Sequence, residues 1–182
     1  MGHGMAVESE LEVIFTPEAI AARLGELAVN VADAKLDNLL VVAILKGSFV
    51  FAADLIRAFH RVGLTPEVDF MTLSSYRKNR VSSGQVSILR DMDLDVRGRN
   101  VLIVDDVLDS GRTLAFAKDL IAARGAKTIK SCVLLDKKVK RAVSVEADLC
   151  AFECPDVFVV GYGMDVAHRY RELPFVGRVV KE

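Results

Sequence analysis

The run Val101-Leu102-Ile103-Val104-Asp105-Asp106-Val107-Leu108-Asp109-Ser110-Gly111-Arg112-Thr113-Leu114 constrains this chain more than any other stretch. It opens with four apolar residues and stops abruptly at two carboxylates. A third carboxylate follows, then Ser-Gly-Arg-Thr and an apolar run to Ile121. That order spells a buried strand, a tight turn and a helix N-terminus, the place where an open α/β sheet holds its ligand. Small residues in the turn let backbone N–H groups converge on an anion such as phosphate. Three aspartates crowd that anion site with the wrong sign. A ligand that joins a sugar to phosphate, accompanied by a divalent metal, reconciles the two. The competing reading makes the carboxylates a solvated strand edge or helix caps, with Asp109 capping the helix that follows. A Walker loop is excluded, because the GxxxxGK[ST] spacing and its lysine are missing.

The flanking patterns agree on fold class. Thr16-Pro17-Glu18 starts a helix, with an N-cap, a proline at the first position and an acid in the first turn. Ile20, Leu24, Leu27 and Val31 carry it to about Ala34. Leu39 to Leu45 is apolar without alternation and predicts a parallel central strand buried on both faces. Lys46-Gly47-Ser48 breaks it, and Phe49 to Phe59 forms the next helix. Strands are expected at Glu67–Ser74, Val86–Leu89 and Thr128–Leu135, with a helix over Thr113–Arg124 closed by Gly125. The repeated strand–helix–strand order predicts an α/β protein with a mainly parallel sheet and right-handed crossovers. Leu149–Phe152 and Val157–Val160 are short β-like runs punctuated by Pro155, Gly161, Gly163 and Pro174, and read as a small accessory lobe. Ser75 to Gln85 is polar and basic, too long for a tight hairpin, and reads either as a mobile lid or as a loose hairpin tip.

Composition removes several classes. The chain has 182 residues, 52% hydrophobic and 27% charged, with a net charge of −1, which fits one soluble globular domain. Near-neutral charge argues against wholesale nucleic-acid or anionic-membrane binding. No apolar run approaches the roughly 18 residues that span a bilayer. Met1 to Glu10 has no signal-peptide core and reads as a leader. Cys132, Cys150 and Cys154 lack the spacing of a zinc site and fit reduced thiols in a cytoplasmic protein.

Three further motifs end on strand termini. Lys46-Gly47 offers an ammonium and a backbone that a ligand can approach closely. Lys137 follows Leu134-Leu135-Asp136 and opens a basic run with Lys138, Lys140 and Arg141, a pattern that is ordinarily a solvated face. Phe158-Val159-Val160-Gly161-Tyr162-Gly163-Met164-Asp165, just after a Pro-Asp turn, is either core or a stacking platform for a planar base.

Together these residues resemble the type I phosphoribosyltransferases, and among them the hypoxanthine–guanine enzymes, over nearly the whole chain from about Ile14. The most specific match is Val-Leu-Ile-Val-Asp-Asp-Val-Leu-Asp-Ser-Gly-Arg-Thr, the 5-phosphoribosyl-1-pyrophosphate (PRPP) motif. Leu-Leu-Asp-Lys, the Phe158–Asp165 stretch, Arg-Tyr-Arg-Glu-Leu-Pro, Ile-Leu-Lys-Gly-Ser-Phe and the Ser75-Tyr76 pair match as well. The resemblance implies a mainly parallel twisted sheet flanked by helices. It also implies a hood lobe built from the N-terminal segment and about residues 138–182, and a lid over about 75–85 that carries Ser75 and Tyr76.

It further implies roles. Asp109, Ser110, Gly111, Arg112 and Thr113 would take the ribose 5′-phosphate, and Asp105 and Asp106 the ribose hydroxyls. Lys46, Gly47 and Arg171 would hold pyrophosphate, with a cis peptide before Lys46. Lys137 would meet the purine 6-oxo group, Phe158 would stack on the ring, and Val159 and Val107 would line it. Asp165 would hold Mg²⁺ on pyrophosphate, with Asp105 and Asp106 near its ribose side, and Asp109 would be the general base. Asp105 stands where many relatives carry glutamate, and Arg112 occupies a position that varies among them. The expected reaction joins PRPP to hypoxanthine or guanine in a homodimer or homotetramer, with xanthine preference left open. The rival class is a nucleic-acid-binding regulator with PRPP as effector, which would need neither Lys137 nor Phe158 nor Asp165.

Overall fold

A computed structural model describes residues 11–75 and 85–180. Its central sheet has six strands in the order β4-β3-β2-β5-β6-β7: β2 (Leu39–Leu45), β3 (Glu67–Ser75), β4 (Val86–Arg90), β5 (Asn100–Leu108), β6 (Thr128–Asp136) and β7 (Leu149–Glu153). All pairs are parallel except β3 with the edge strand β4.

The non-alternating strands are buried on both faces. Leu39, Val41 and Ala43 of β2, with Leu102 and Val104 of β5, face α1 (Pro17–Asp33) and α2 (Phe49–Arg61). Leu40, Val42 and Ile44, with Val101 and Ile103, face Leu114, Ala117 and Ile121 of α3 (Arg112–Ala123). Thr16 caps α1 as expected, its Oγ1 accepting from Ala19 N at 3.2 Å. Gly125 follows α3 with φ +87° and donates to the Ala122 carbonyl, a left-handed stop that suits glycine.

From β2 the chain crosses through α2 to β3 on one side; from β5 it crosses through α3 to β6 on the other. The C-terminal ends of β2 and β5 therefore flank the point where the winding reverses, where such sheets open a crevice.

The expected boundary of the accessory lobe is corrected. Leu149–Glu153 does not join the small lobe but pairs in parallel with β6, Cys132 opposite Leu149 and Leu135 opposite Phe152. The connection to it carries only a three-residue 3₁₀ turn, Lys138–Lys140, so the usual βα rhythm is missing. Arg23 of α1 covers the outer edge of β7, donating to the Cys150 and Ala151 carbonyls at 2.9 Å each. The small sheet, in the order β1-β9-β8, comprises Leu11–Phe15, Val176–Val179 and Val159–Val160. Phe15 stacks on Phe152 at 4.2 Å between ring centroids and links the two sheets. The leader to Glu10, and Tyr76 to Gly84 of the expected lid, lie outside the described residues.

Candidate active site

A cavity of about 460 Å³ opens over the reversal point. Lys46 and Gly47 reach it from the end of β2, and Asp105, Asp106, Val107, Asp109 and Thr113 from the end of β5 and the start of α3. Lys137 comes from the end of β6; Phe158, Val159, Asp165 and Arg171 come from the small lobe. Ser110, Gly111 and Arg112 belong to the same loop but are not part of its wall. The side chain of Ser75, like all of Tyr76, is outside the described residues.

The loop between β5 and α3 is held by backbone. Ser110 carbonyl accepts from Ala142 N at 2.8 Å and Val143 N at 3.1 Å. Gly111 is the N-cap residue of α3, at φ +84° with no side-chain cap bond, so the cap position falls on the glycine and not on Asp109. A Cβ at Gly111 would lie 2.6 Å from Val145 Cγ1, so this turn needs glycine twice over. The positive end of the α3 dipole faces the loop, which suits an anion.

Asp105 is 7% exposed, and its Oδ1 accepts from Asp106 N at 2.9 Å. Burial, and secondarily the neighbouring Asp106 carboxylate, push the Asp105 carboxyl well above its ordinary range.

A stability consequence follows. Because the folded state holds this proton more tightly than the unfolded chain, its stabilising effect is complete below the ordinary carboxylate pKa. It is lost as pH rises toward the raised one, by at most about 1.4 kcal/mol per pH unit. Asp105→Asn is therefore expected to raise the melting temperature of the ligand-free protein at pH 7–8 and to change it little below about pH 4. Melting curves across that range check this, and a gap between variant and parent that does not grow with pH would refute it.

The Leu45–Lys46 peptide is cis, as the resemblance implied. Gly47 is wedged beneath: a Cβ there would fall 1.9 Å from Asp106 Oδ2. From the small lobe Gly163, at φ +94°, approaches so closely that its own Cβ would lie 2.9 Å from the Gly47 carbonyl. Tyr162 beside it donates its hydroxyl to Asp54 of α2 at 2.6 Å, fastening the lobe to the helix that Lys46-Gly47-Ser48 introduces. Burial and the Asp54 carboxylate raise the Tyr162 hydroxyl's pKa, so it remains a donor.

Lys137 is buried to 8% exposure, with Nζ donating to the Val157 carbonyl at 2.7 Å, while Phe158 on the same cavity wall is half exposed. A planar base can therefore lie on Phe158 with its edge at Lys137. Arg171 pairs with Asp165 at 3.1 Å and donates to the Gly163 carbonyl at 2.6 Å; Asp165 also accepts from His168 N. Sequence reading missed Thr72, Leu73 and Ser74 at the end of β3, Leu89 of β4 and Met164, all on the cavity wall. The position of Thr72–Ser74 at a parallel strand's C-terminal end was the available signal.

An anion-suited loop at a helix N-terminus, a half-exposed aromatic beside a buried lysine and a crevice at the winding reversal fit a nucleotide-forming class of α/β enzyme. The chain belongs to the phosphoribosyltransferase family: the phosphoribosyl transferase domain matches residues 11–167. It is 43% identical over 173 residues to the hypoxanthine phosphoribosyltransferase of Escherichia coli strain K12, covering 93% of this chain and 96% of that one. It is 43% identical over 167 residues to the hypoxanthine-guanine phosphoribosyltransferase of Bacillus subtilis strain 168, covering 91% of each. The crystal structure of a hypoxanthine-guanine phosphoribosyltransferase from Bacillus anthracis, with HEPES in its active site, superposes with a TM-score of 0.85. That chain is 40% identical, with 94% of this chain and all of the other covered.

Proposed function

We infer that this enzyme transfers the 5-phosphoribosyl group from PRPP to N9 of hypoxanthine or guanine, giving IMP or GMP and pyrophosphate in purine salvage. The observation that carries the reading is the convergence, in one cavity, of the Asp105-Asp106 strand end with Lys137 and Phe158. The first pair suits a ribose; the second suits a flat base with an acceptor edge.

Breaking the C1′–O bond builds positive charge on the ribosyl carbon and negative charge on the departing pyrophosphate. Lys46 and Arg171 supply cationic donors for the latter. The Asp109 carboxylate takes the purine N7 proton as N9 attacks. Asp105 and Asp106 orient the ribose through its hydroxyls, while the Asp109–Thr113 loop anchors the 5′-phosphate.

Among the described residues no three His, Cys, Asp or Glu groups form a self-sufficient metal site. Asp165, Asp105 and Asp106 nonetheless present hard oxygen donors to the cavity. That set fits Mg²⁺, which commonly binds through one or two carboxylates plus substrate phosphates. When bound, the ion would neutralise charge on pyrophosphate.

Phe49, Phe70 and Ile88 remain exposed on the single chain, which supports a homodimer or homotetramer. The three free thiols support a cytoplasmic setting. The testing experiment offers PRPP and Mg²⁺ with hypoxanthine, guanine or xanthine and follows pyrophosphate release. Release with hypoxanthine or guanine is the expected result. Release with xanthine alone would reject the proposed specificity, and no purine-dependent release would reject the function.

A further inference from the structure

Arg141 belongs by sequence to a basic run, yet it behaves unlike its neighbours. Lys138 and Lys140 are exposed and pair at the surface with Glu153 and Asp156. Arg141 turns inward, its side chain 19% exposed against 12% for its partner Asp136. Nη2 lies 2.6 Å from Asp136 Oδ1, and Nη1 donates to the Asp109 carbonyl at 2.9 Å. The guanidinium fork thus grips the end of β6 with one prong and the loop after β5 with the other.

We propose that Arg141 is a positioning residue that sets the spacing between Asp109 and Lys137, the two groups assigned to adjacent edges of one purine ring. The inference rests on those two assignments. Asp136 directly precedes Lys137, and Lys137 N donates to the Leu108 carbonyl at 2.9 Å, so the tether acts where the two strand ends already touch. The residues after Arg141 reinforce it, Ala142 and Val143 donating to the Ser110 carbonyl. At Gly111 an added Cβ would come within 3.1 Å of Arg141 Cδ, so the side-chain stem also packs under the phosphate loop. A lysine cannot replace the fork, because one ammonium on a flexible stem lacks two donors held in a plane.

The test is steady-state kinetics of Arg141→Lys, Arg141→Ala and Asp136→Asn in the full chain, with hypoxanthine and PRPP varied separately, beside Lys137→Ala and Asp109→Asn. In the Arg141 and Asp136 variants, kcat/KM for hypoxanthine should fall about 10–10²-fold, the loss expected for displacement on the scale of an ångström. The KM for PRPP should stay near that of the parent. Low, non-denaturing guanidinium should restore part of the activity of Arg141→Ala, a response that general loosening of the fold does not give. Should Arg141→Ala fail to fold, Asp136→Asn and Arg141→Lys carry the comparison. Unchanged hypoxanthine kinetics in Arg141→Lys and Asp136→Asn would overturn the inference, as would equal losses toward both substrates without guanidinium recovery. Lys137→Ala is expected to raise the KM for hypoxanthine, and Asp109→Asn to lower turnover. If neither changes hypoxanthine kinetics, the site reading itself fails. If both do while the Arg141 and Asp136 variants do not, only the role of Arg141 fails.

Discussion

Asp109→Asn is expected to lower turnover by about 10²–10⁴-fold, the usual worth of a positioned general base. Asparagine keeps the shape of the side chain and loses the ability to take a proton. The backbone around it should hold, because the Asp109 carbonyl is gripped by Arg141 and the Ser110 carbonyl by Ala142 and Val143. PRPP binding should therefore survive, and the deficit should appear in kcat. The position suits proton transfer from the purine, since Asp109 shares the cavity wall with Val107, Lys137 and Phe158, the residues assigned to the base. Steady-state rates together with PRPP titration by calorimetry decide it. Unchanged turnover sinks the base assignment, while loss of PRPP binding would make Asp109 a phosphate-loop residue.

The second large effect is expected at Gly47. Alanine there brings a methyl within 1.9 Å of Asp106 Oδ2 and 2.9 Å of Asp106 Cγ. Either the carboxylate or the loop must shift. The carboxylate is not free to swing cheaply, since its Oδ1 accepts from Val107 N at 2.8 Å. The loop is blocked on its other side by Gly163, which sits against the Gly47 carbonyl. Any shift therefore moves either Asp106, assigned to the ribose, or Lys46, assigned to pyrophosphate. We expect kcat/KM for PRPP to fall by about 10²-fold, as misplacement on the scale of an ångström does. The melting temperature should drop by only a few degrees, because the strain is confined to the cavity rim. A variant with the parent's KM and kcat for PRPP would show that the rim yields without consequence.

Local signals were legible where they are local in origin. The Thr16-Pro17 cap, the non-alternating β2 and β5, and the Gly125 stop each report on a few neighbouring residues, and each marks an element that forms. The strand-end motifs were legible for the same reason: a parallel sheet places the residue after an apolar run at the crevice. β7 was legible as a strand, but its place in the main sheet escaped because pairing in parallel with β6 is a contact between distant segments, and no helical crossover announced it. Arg141 escaped because a charge run carries no record of which member faces inward.

The chain order of apolar runs, turns and polar strand ends by itself determined an α/β sheet with a glycine-bearing turn between a buried strand and the next helix. Side-chain chemistry and strand period are properties of each short stretch. Only the tertiary structure decided that Gly47 must make room for Asp106, that Tyr162 fastens the small lobe to α2, and that burial pushes the Asp105 carboxyl well above its ordinary range. Those outcomes depend on distances and desolvation between segments far apart in sequence, which no local pattern encodes.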